Sequence, residues 1–293
     1  KEVKKDLIGK SILEGYDFYQ KALPLDTVVD AKGKVKTKYS KDIIKGIKEH
    51  YNDFNNAALF LWEVEDYPNA VKAWELYTTL PQNPALVKAG LKAPADTLLA
   101  EIMYNMGIGN SLAQNNEAAL KDFRNAIAHG YTKKNAYDYA ISAASQLQNP
   151  QAMAEIAEEA YALYGKEDSR YIGYMINNLI DKKEYAKADA LIDKYIAEDP
   201  NNAQLYFVKG VLCDSEGNPE ASMEAYKKAI SLDEKNANAL MQYGYKLYQR
   251  ACDIDQNEGG NLSNAQYNEF RANKVDPLLK EAAGYLEKAY EID

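Results

Sequence analysis

The stretch AQLYFVKGVLCDSEGNPEASMEAYKKAISLDEKN, residues 203–236, decides the fold. Counted from Ala203, it puts Tyr206, Gly210, Gly217, Tyr226, Ala229 and Leu232 at places 4, 8, 15, 24, 27 and 30. Small residues at 8 and 27 let two antiparallel helices approach closely, and large ones at 4 and 24 fill the space between neighbouring hairpins. Asn218-Pro219 puts a capping side chain before a proline at a first helical position, so a second helix is expected to start there. The stretch reads as one helical hairpin.

The same phase extends in both directions, and such a period marks stacked hairpins rather than a globular core. A copy from Ser169 carries Tyr185, Ala188 and Ile192, and closes at Asp199-Pro200-Asn201-Asn202. One from Ala237 carries Leu240, Tyr243 and Gly244. Upstream, Lys134 opens a copy with Tyr137, Ala144, Ala157, Ala160 and Leu163, and Ala100 opens one with Met103, Gly107, Ala119, Phe123 and Ala126. Tyr51 opens the first, with Phe54, Ala57, Ala58, Tyr67, Ala70, Trp74 and Leu80. Asn149-Pro150 and Asp66-Tyr67-Pro68 repeat the capping signal of Asn218-Pro219.

These residues resemble the tetratricopeptide repeat, whose pattern has a large residue at 4, Gly or Ala at 8, Tyr at 17, Ala at 20, an aromatic at 24, Ala at 27 and Pro at 32. Departures are Ser222 and Met153 at place 20 and Glu234 at place 32. The resemblance implies an all-α, right-handed superhelical solenoid of antiparallel hairpins. The expected organisation is an N-terminal segment 1–50, then a solenoid over 51–293 with repeats near 51–84, 100–133, 134–168, 169–202, 203–236 and 237–293.

Three stretches depart from the phase. Ile12, Tyr16, Tyr19 and Leu23 predict one helix ending near Pro24, and Asp30-Ala31-Lys32-Gly33 between two valine-containing runs predicts a short hairpin or an irregular loop. Pro81 to Pro94 holds three prolines and reads as a surface loop. In the last copy Tyr248 (place 12) and Ala282 (place 20) are 34 apart instead of 8, so about 26 residues within 249–277 are inserted. There the chain is expected to break at Gln256–Asn261 and resume as a helix capped by Ser263, running to about Val275.

The 293 residues carry 35 basic and 44 acidic side chains, a net −9, which argues against nonspecific nucleic-acid binding. Residues 1–50 are the exception, with twelve lysines against eight acids. Lys32, Lys34, Lys36, Lys38, Lys41, Lys45 and Lys48 read either as a solvated loop and helix face or as a contact for an anionic partner or lipid head groups. No apolar run is long enough to span a bilayer. Cys213 and Cys252 do not define a disulfide or metal framework and read as two buried thiols. His50 and His129 stand alone, and the lone Gly107-Ile108-Gly109 follows no strand, so neither a metal site, a nucleotide site nor a catalytic triad is expected, and no cofactor.

In tetratricopeptide domains, places 2, 5, 9, 12 and 13 face a concave groove. The resemblance therefore implies a ligand face of Asn55, Trp62, Tyr104, Arg170, Asn177, Asp181, Gln204, Phe207, Val211, Asp214, Asn238, Met241, Tyr245 and Tyr248. Gly173 at place 5 beside Asn177 lacks the cationic set with which related co-chaperones clamp a carboxylate. The expected function is a noncatalytic protein-protein interaction scaffold that holds a peptide or protein segment, with a monomer favoured. The alternative is a carbohydrate-binding accessory protein, for which Trp62 is the available platform. Long insertions and the lysine-rich segment are similar to envelope-associated tetratricopeptide proteins of Bacteroidetes-type bacteria, which implies a periplasmic or envelope location over a cytoplasmic one. A start at Lys1 rather than Met points to processing or truncation.

Overall fold

The computed structural model describes residues 4–165 and 167–292, which divide into two compact units, Lys1–Asn149 and Pro150–Asp293. The first unit runs through α1 (Lys5–Ala22), the antiparallel strands β1 (Val28–Val29) and β2 (Val35–Lys36), α2 (Ser40–Glu49), α3 (Tyr51–Glu63), α4 (Tyr67–Thr79), α5 (Pro84–Lys88), α6 (Asp96–Leu112), α7 (Asn116–Ala128) and α8 (Lys134–Gln146). Packing is sequential along α3, α4, α6, α7 and α8, with α1 laid on α3 and α2 set against α3 and α5. The second unit runs through α9 (Pro150–Tyr164), α10 (Arg170–Asp181), α11 (Tyr185–Glu198), α12 (Ala203–Ser215), α13 (Pro219–Leu232), α14 (Ala237–Glu258), α15 (Asn264–Phe270) and α16 (Asp276–Ile292). Among the described residues the fold is all-α apart from the two-residue strands. The hairpin expected over 134–168 is divided by the unit boundary: α8 packs on α7 in the first unit, and α9 packs on α10 in the second.

A recurring backbone device sets the register. Glu65, Gln114, Gln148, Lys183 and Gly217 all have positive φ, between 53° and 78°, and each is place 15 of its copy. Around each, two bonds recur, as in Gln114 N to Ser111 O at 3.0 Å and Asn115 N to Asn110 O at 2.8 Å, or Gly217 N to Asp214 O at 3.0 Å and Asn218 N to Cys213 O at 2.9 Å. This left-handed closure satisfies the last carbonyls of one helix and leaves the next residue free to cap the following one. Asn218 does so for Ala221 N, Asn115 for Ala118 N and Asp66 for Asn69 N. Only Gly217 takes this conformation without steric cost. Gln114→Gly is therefore expected to raise stability by about 0.5–1 kcal/mol, to be read as an upward shift in thermal melting.

Places 8 and 24 pack as the sequence implies. A Cβ on Gly107 would lie 2.6 Å from the ring of Phe123, and one on Gly210 would lie 2.4 Å from the ring of Tyr226. In the last hairpin a Cβ on Gly244 would meet Leu286 at 3.0 Å and the carbonyl of Ala282 at 3.1 Å. Ala282 thus occupies the place that the 34-residue separation assigned to it. Ser222, standing where Ala is usual, is fully buried, and its hydroxyl donates to Pro219 O at 2.9 Å.

Four expectations need correction. Pro81 to Pro94 is not simply a surface loop. Leu80–Gln82 forms a 3₁₀ turn, Asn83 Oδ1 accepts from Ala85 N at 2.9 Å to start α5, and Leu80, Pro81 and Leu86 are buried in the first unit's core. The helix capped by Ser263 does not stop near Val275, because a π turn at Arg271–Val275 carries it into α16. The break before it is later than expected, since α14 continues to Glu258. The insertion lengthens both helices of the last hairpin, which are tied by Tyr267 Oη donating to Asp255 Oδ1 at 2.9 Å and by the Lys274–Glu258 pair at 2.5 Å. Lastly, Cys213 is buried but Cys252 is only half-buried.

One buried carboxyl sits between α6 and α7. Asp122 is 6% exposed and accepts from Asn110 Nδ2 at 2.8 Å. Burial, and next to it the charge of Glu75, outweigh the Asn110 bond and push its pKa up to about 6. The folded state thus holds this proton more tightly than the unfolded chain, so its contribution is complete below about pH 4 and is lost as pH rises through 6. Asp122→Asn keeps an acceptor for Asn110 and removes the charge. It is expected to stabilise the protein by about 1–2 kcal/mol at pH 7.5 and to leave stability unchanged at pH 4. Urea unfolding at both pH values checks this.

Candidate functional site

In the second unit, α14 sorts its side chains into two faces. Leu240, Tyr243, Leu247 and Ala251 are buried, whereas Met241, Tyr245 and Tyr248 are 46%, 50% and 48% exposed. The exposed set recurs at i, i+4 and i+7, so the three lie on one side of the helix, continued by Cys252 one turn on. A hydrogen bond with Cys252, followed by the charge on that thiol, raises the pKa of the Tyr248 hydroxyl. Asn238 is also exposed, at the start of the same helix.

α12 meets the buried side of α14. Asp214 accepts from Tyr226 Oη of α13 at 2.9 Å and pairs with Lys246 Nζ of α14 at 2.7 Å, so one carboxylate ties three helices together. Burial, with the Asp214 bond second, raises the pKa of the Tyr226 hydroxyl. Phe207 and Val211 are half-buried and pack with Tyr226, Tyr243 and Leu247. Of the sequence-derived residues, Asp214, Phe207 and Val211 therefore fasten the hairpins. Gln204 is half-buried, Asn177 is exposed, and Arg170 pairs with Asp168 at 2.5 Å.

In the first unit the derived residues are engaged internally. Asn55 Oδ1 accepts from Trp74 Nε1 at 3.0 Å. Trp62 is half-buried, 5.0 Å from the ring of Tyr67 and 5.5 Å from that of Trp74. Tyr104 stacks on Tyr131 at 4.4 Å, and its hydroxyl accepts from Asn135 Nδ2 at 2.7 Å. Burial, then Tyr131 and Tyr139, push the Tyr104 pKa up to about 12. Beside Tyr139, whose ring is 6.3 Å from that of Tyr104, lies a cleft of about 650 Å³ lined by Ser111, Gln114, Asn116, Tyr139, Ser142, Ala143 and Gln146, none of them among the residues expected to face a ligand. Ser111 is place 12 of its copy, and Ser142 and Gln146 are places 9 and 13 of the next. The groove rule, applied to every copy, would have found these three.

The cleft carries amides, hydroxyls and one aromatic ring and no charged side chain, whereas the α14 face is aromatic. Both can hold a chain by its amide groups and by ring contact. Among the described residues no group of three or more His, Cys, Asp or Glu is placed to hold a metal ion. Among the described residues no helix is long and apolar enough to cross a membrane.

Helical hairpins joined by left-handed turns, with a face of each unit left to solvent, define a helical-repeat protein. Residues 203–236 match the family model described as tetratricopeptide repeat. The chain thus contains a tetratricopeptide repeat and resembles proteins built from it. No curated protein matches its sequence. Similar solved structures include the C-terminal part of a TPR repeat-containing protein from Cytophaga hutchinsonii, at 17% identity, 84% of this chain, 94% of that chain and a TM-score of 0.45. A TPR repeats protein from Bacteroides fragilis matches at 20% identity, 83% of this chain, 91% of that one and a TM-score of 0.41. YrrB, described as a TPR protein with an unusual peptide-binding site, matches at 18% identity, 68% and 95% coverage and a TM-score of 0.44.

Proposed function

We propose that this chain is a noncatalytic scaffold that binds an extended peptide or protein segment, with the exposed face of α14 as a principal contact. A tetratricopeptide fold supports a role in protein interaction generally. The observation that carries the finer reading is the row Met241, Tyr245, Tyr248, three large side chains that folding leaves about half in water. Large side chains aligned on one helix face mark a contact surface more often than scattered ones do. Tyr faces cover apolar side chains of a bound segment, and their hydroxyls, with the Asn238 amide, meet its backbone. The carbohydrate alternative relied on Trp62, whose ring is taken up by Tyr67 and Trp74.

A peptide array probed with the chain and with a Tyr245→Ala, Tyr248→Ala variant tests this reading. Peptides retained by the parent are expected to bind the variant at least about tenfold more weakly, and equal retention would count against the α14 face. An envelope location is part of the proposal, motivated by the long insertion and the lysine-rich N-terminal segment. Fractionation of source cells checks it.

A further inference from the structure

We propose that the cavity between α1, α2 and α3 is a binding site for a single aromatic ring that carries an O–H or N–H donor, separate from the peptide faces above. It has a volume of about 210 Å³. Its walls are apolar and aromatic, formed by Ile12 and Tyr16 of α1, Ile47 of α2 and Phe54 of α3. Tyr16 and Phe54 stand edge to face, 5.4 Å apart at 88°, which offers a third ring both kinds of aromatic contact. His50, Asp53, Ser11 and the Tyr19 hydroxyl supply the polar part of the lining. His50 Nδ1 lies 2.8 Å from Asp53 Oδ2. The Asp53 carboxylate and the hydroxyl oxygens of Ser11 and Tyr19 along the same lining can each accept a hydrogen bond. An acceptor beside apolar walls selects a phenol or an indole over a plain hydrocarbon ring.

Gly15 is the second observation. It lies in the middle of α1, where glycine weakens a helix relative to alanine. No atom lies within 4 Å of the position its Cβ would take, so close packing does not call for glycine there. Yet Gly15 lines the cavity, and the missing side chain keeps that wall open.

The test follows the δ1-methyl signals of Ile12 and Ile47 by NMR while p-cresol, indole, toluene and N-acetyltyrosinamide are titrated into the full chain. Saturable shifts at both methyls with p-cresol and indole are expected, at affinities about tenfold above toluene. Gly15→Leu is expected to abolish saturation while melting no lower than the parent, and Gly15→Ala controls for the helix itself. Tyrosinamide binding as well as p-cresol would identify the ring as a side chain presented by a peptide. Binding of p-cresol without tyrosinamide would identify a free small aromatic, and either result supports the site. Shifts that do not saturate, unchanged binding by Gly15→Leu, or toluene binding as tightly as p-cresol would overturn the proposal.

Discussion

Trp74→Ala is expected to destabilise the first unit by about 3–5 kcal/mol, the usual cost of emptying a large aromatic site in a core. Trp74 is 2% exposed and holds place 24 of its copy, where its ring meets Trp62 and its Nε1 donates to Asn55. No neighbour can collapse into the space without leaving its own contacts. Denaturant unfolding followed by the fluorescence of Trp62 reads the loss locally, because both tryptophans lie in this unit. A cost below about 1 kcal/mol would mean that place 24 does not anchor the hairpin.

The second large effect is overpacking at place 8. Gly210→Leu puts four carbons where the ring of Tyr226 already stands, and Tyr226 cannot yield, being 1% exposed and bonded through its hydroxyl to Asp214. The expected cost is at least about 3 kcal/mol. Hydrogen exchange in α12 and α13 should accelerate accordingly. Adding Tyr226→Ala to the same chain should recover part of the loss, since the two substitutions share one space. If the double variant is as unstable as the sum of the single ones, the two residues do not compete for that space.

Both predictions concern features that could be read directly from the sequence, because place 8 and place 24 are chosen by sterics within one hairpin. The turns were legible for the same reason: Asn218-Pro219 and Asp66-Tyr67-Pro68 each announce a cap and a first helical residue within three positions. What escaped depends on contacts between distant residues. Asp26 accepts from the backbone of Lys38, Tyr39 and Ser40 at 3.0, 2.7 and 2.6 Å, holding the lysine-rich hairpin to the start of α2, and nothing local in the sequence marks it for that task. Leu86 turns a proline-rich connection into part of a core, which composition alone describes as a loop.

The site residues were legible only in part. The groove rule identifies which places face outward from the first helices, and on α14 it selected Met241, Tyr245 and Tyr248, which are exposed. It could not tell that Asn55, Trp62 and Asp214 would be claimed by Trp74, Tyr67, Tyr226 and Lys246, because those partners come from neighbouring helices. The cavity beside Gly15 is walled mostly by α1 and α2, which lie outside the repeats, where no periodic rule applies.

The central claim, recognition of a protein segment by the α14 face, is tested most directly by capture. The parent chain and the Tyr245→Ala, Tyr248→Ala variant are immobilised, envelope extract of the source cells is passed over both, and retained proteins are identified by mass spectrometry. A partner held by the parent and lost by an equally stable variant is the predicted result. The same partners held equally by both would contradict it.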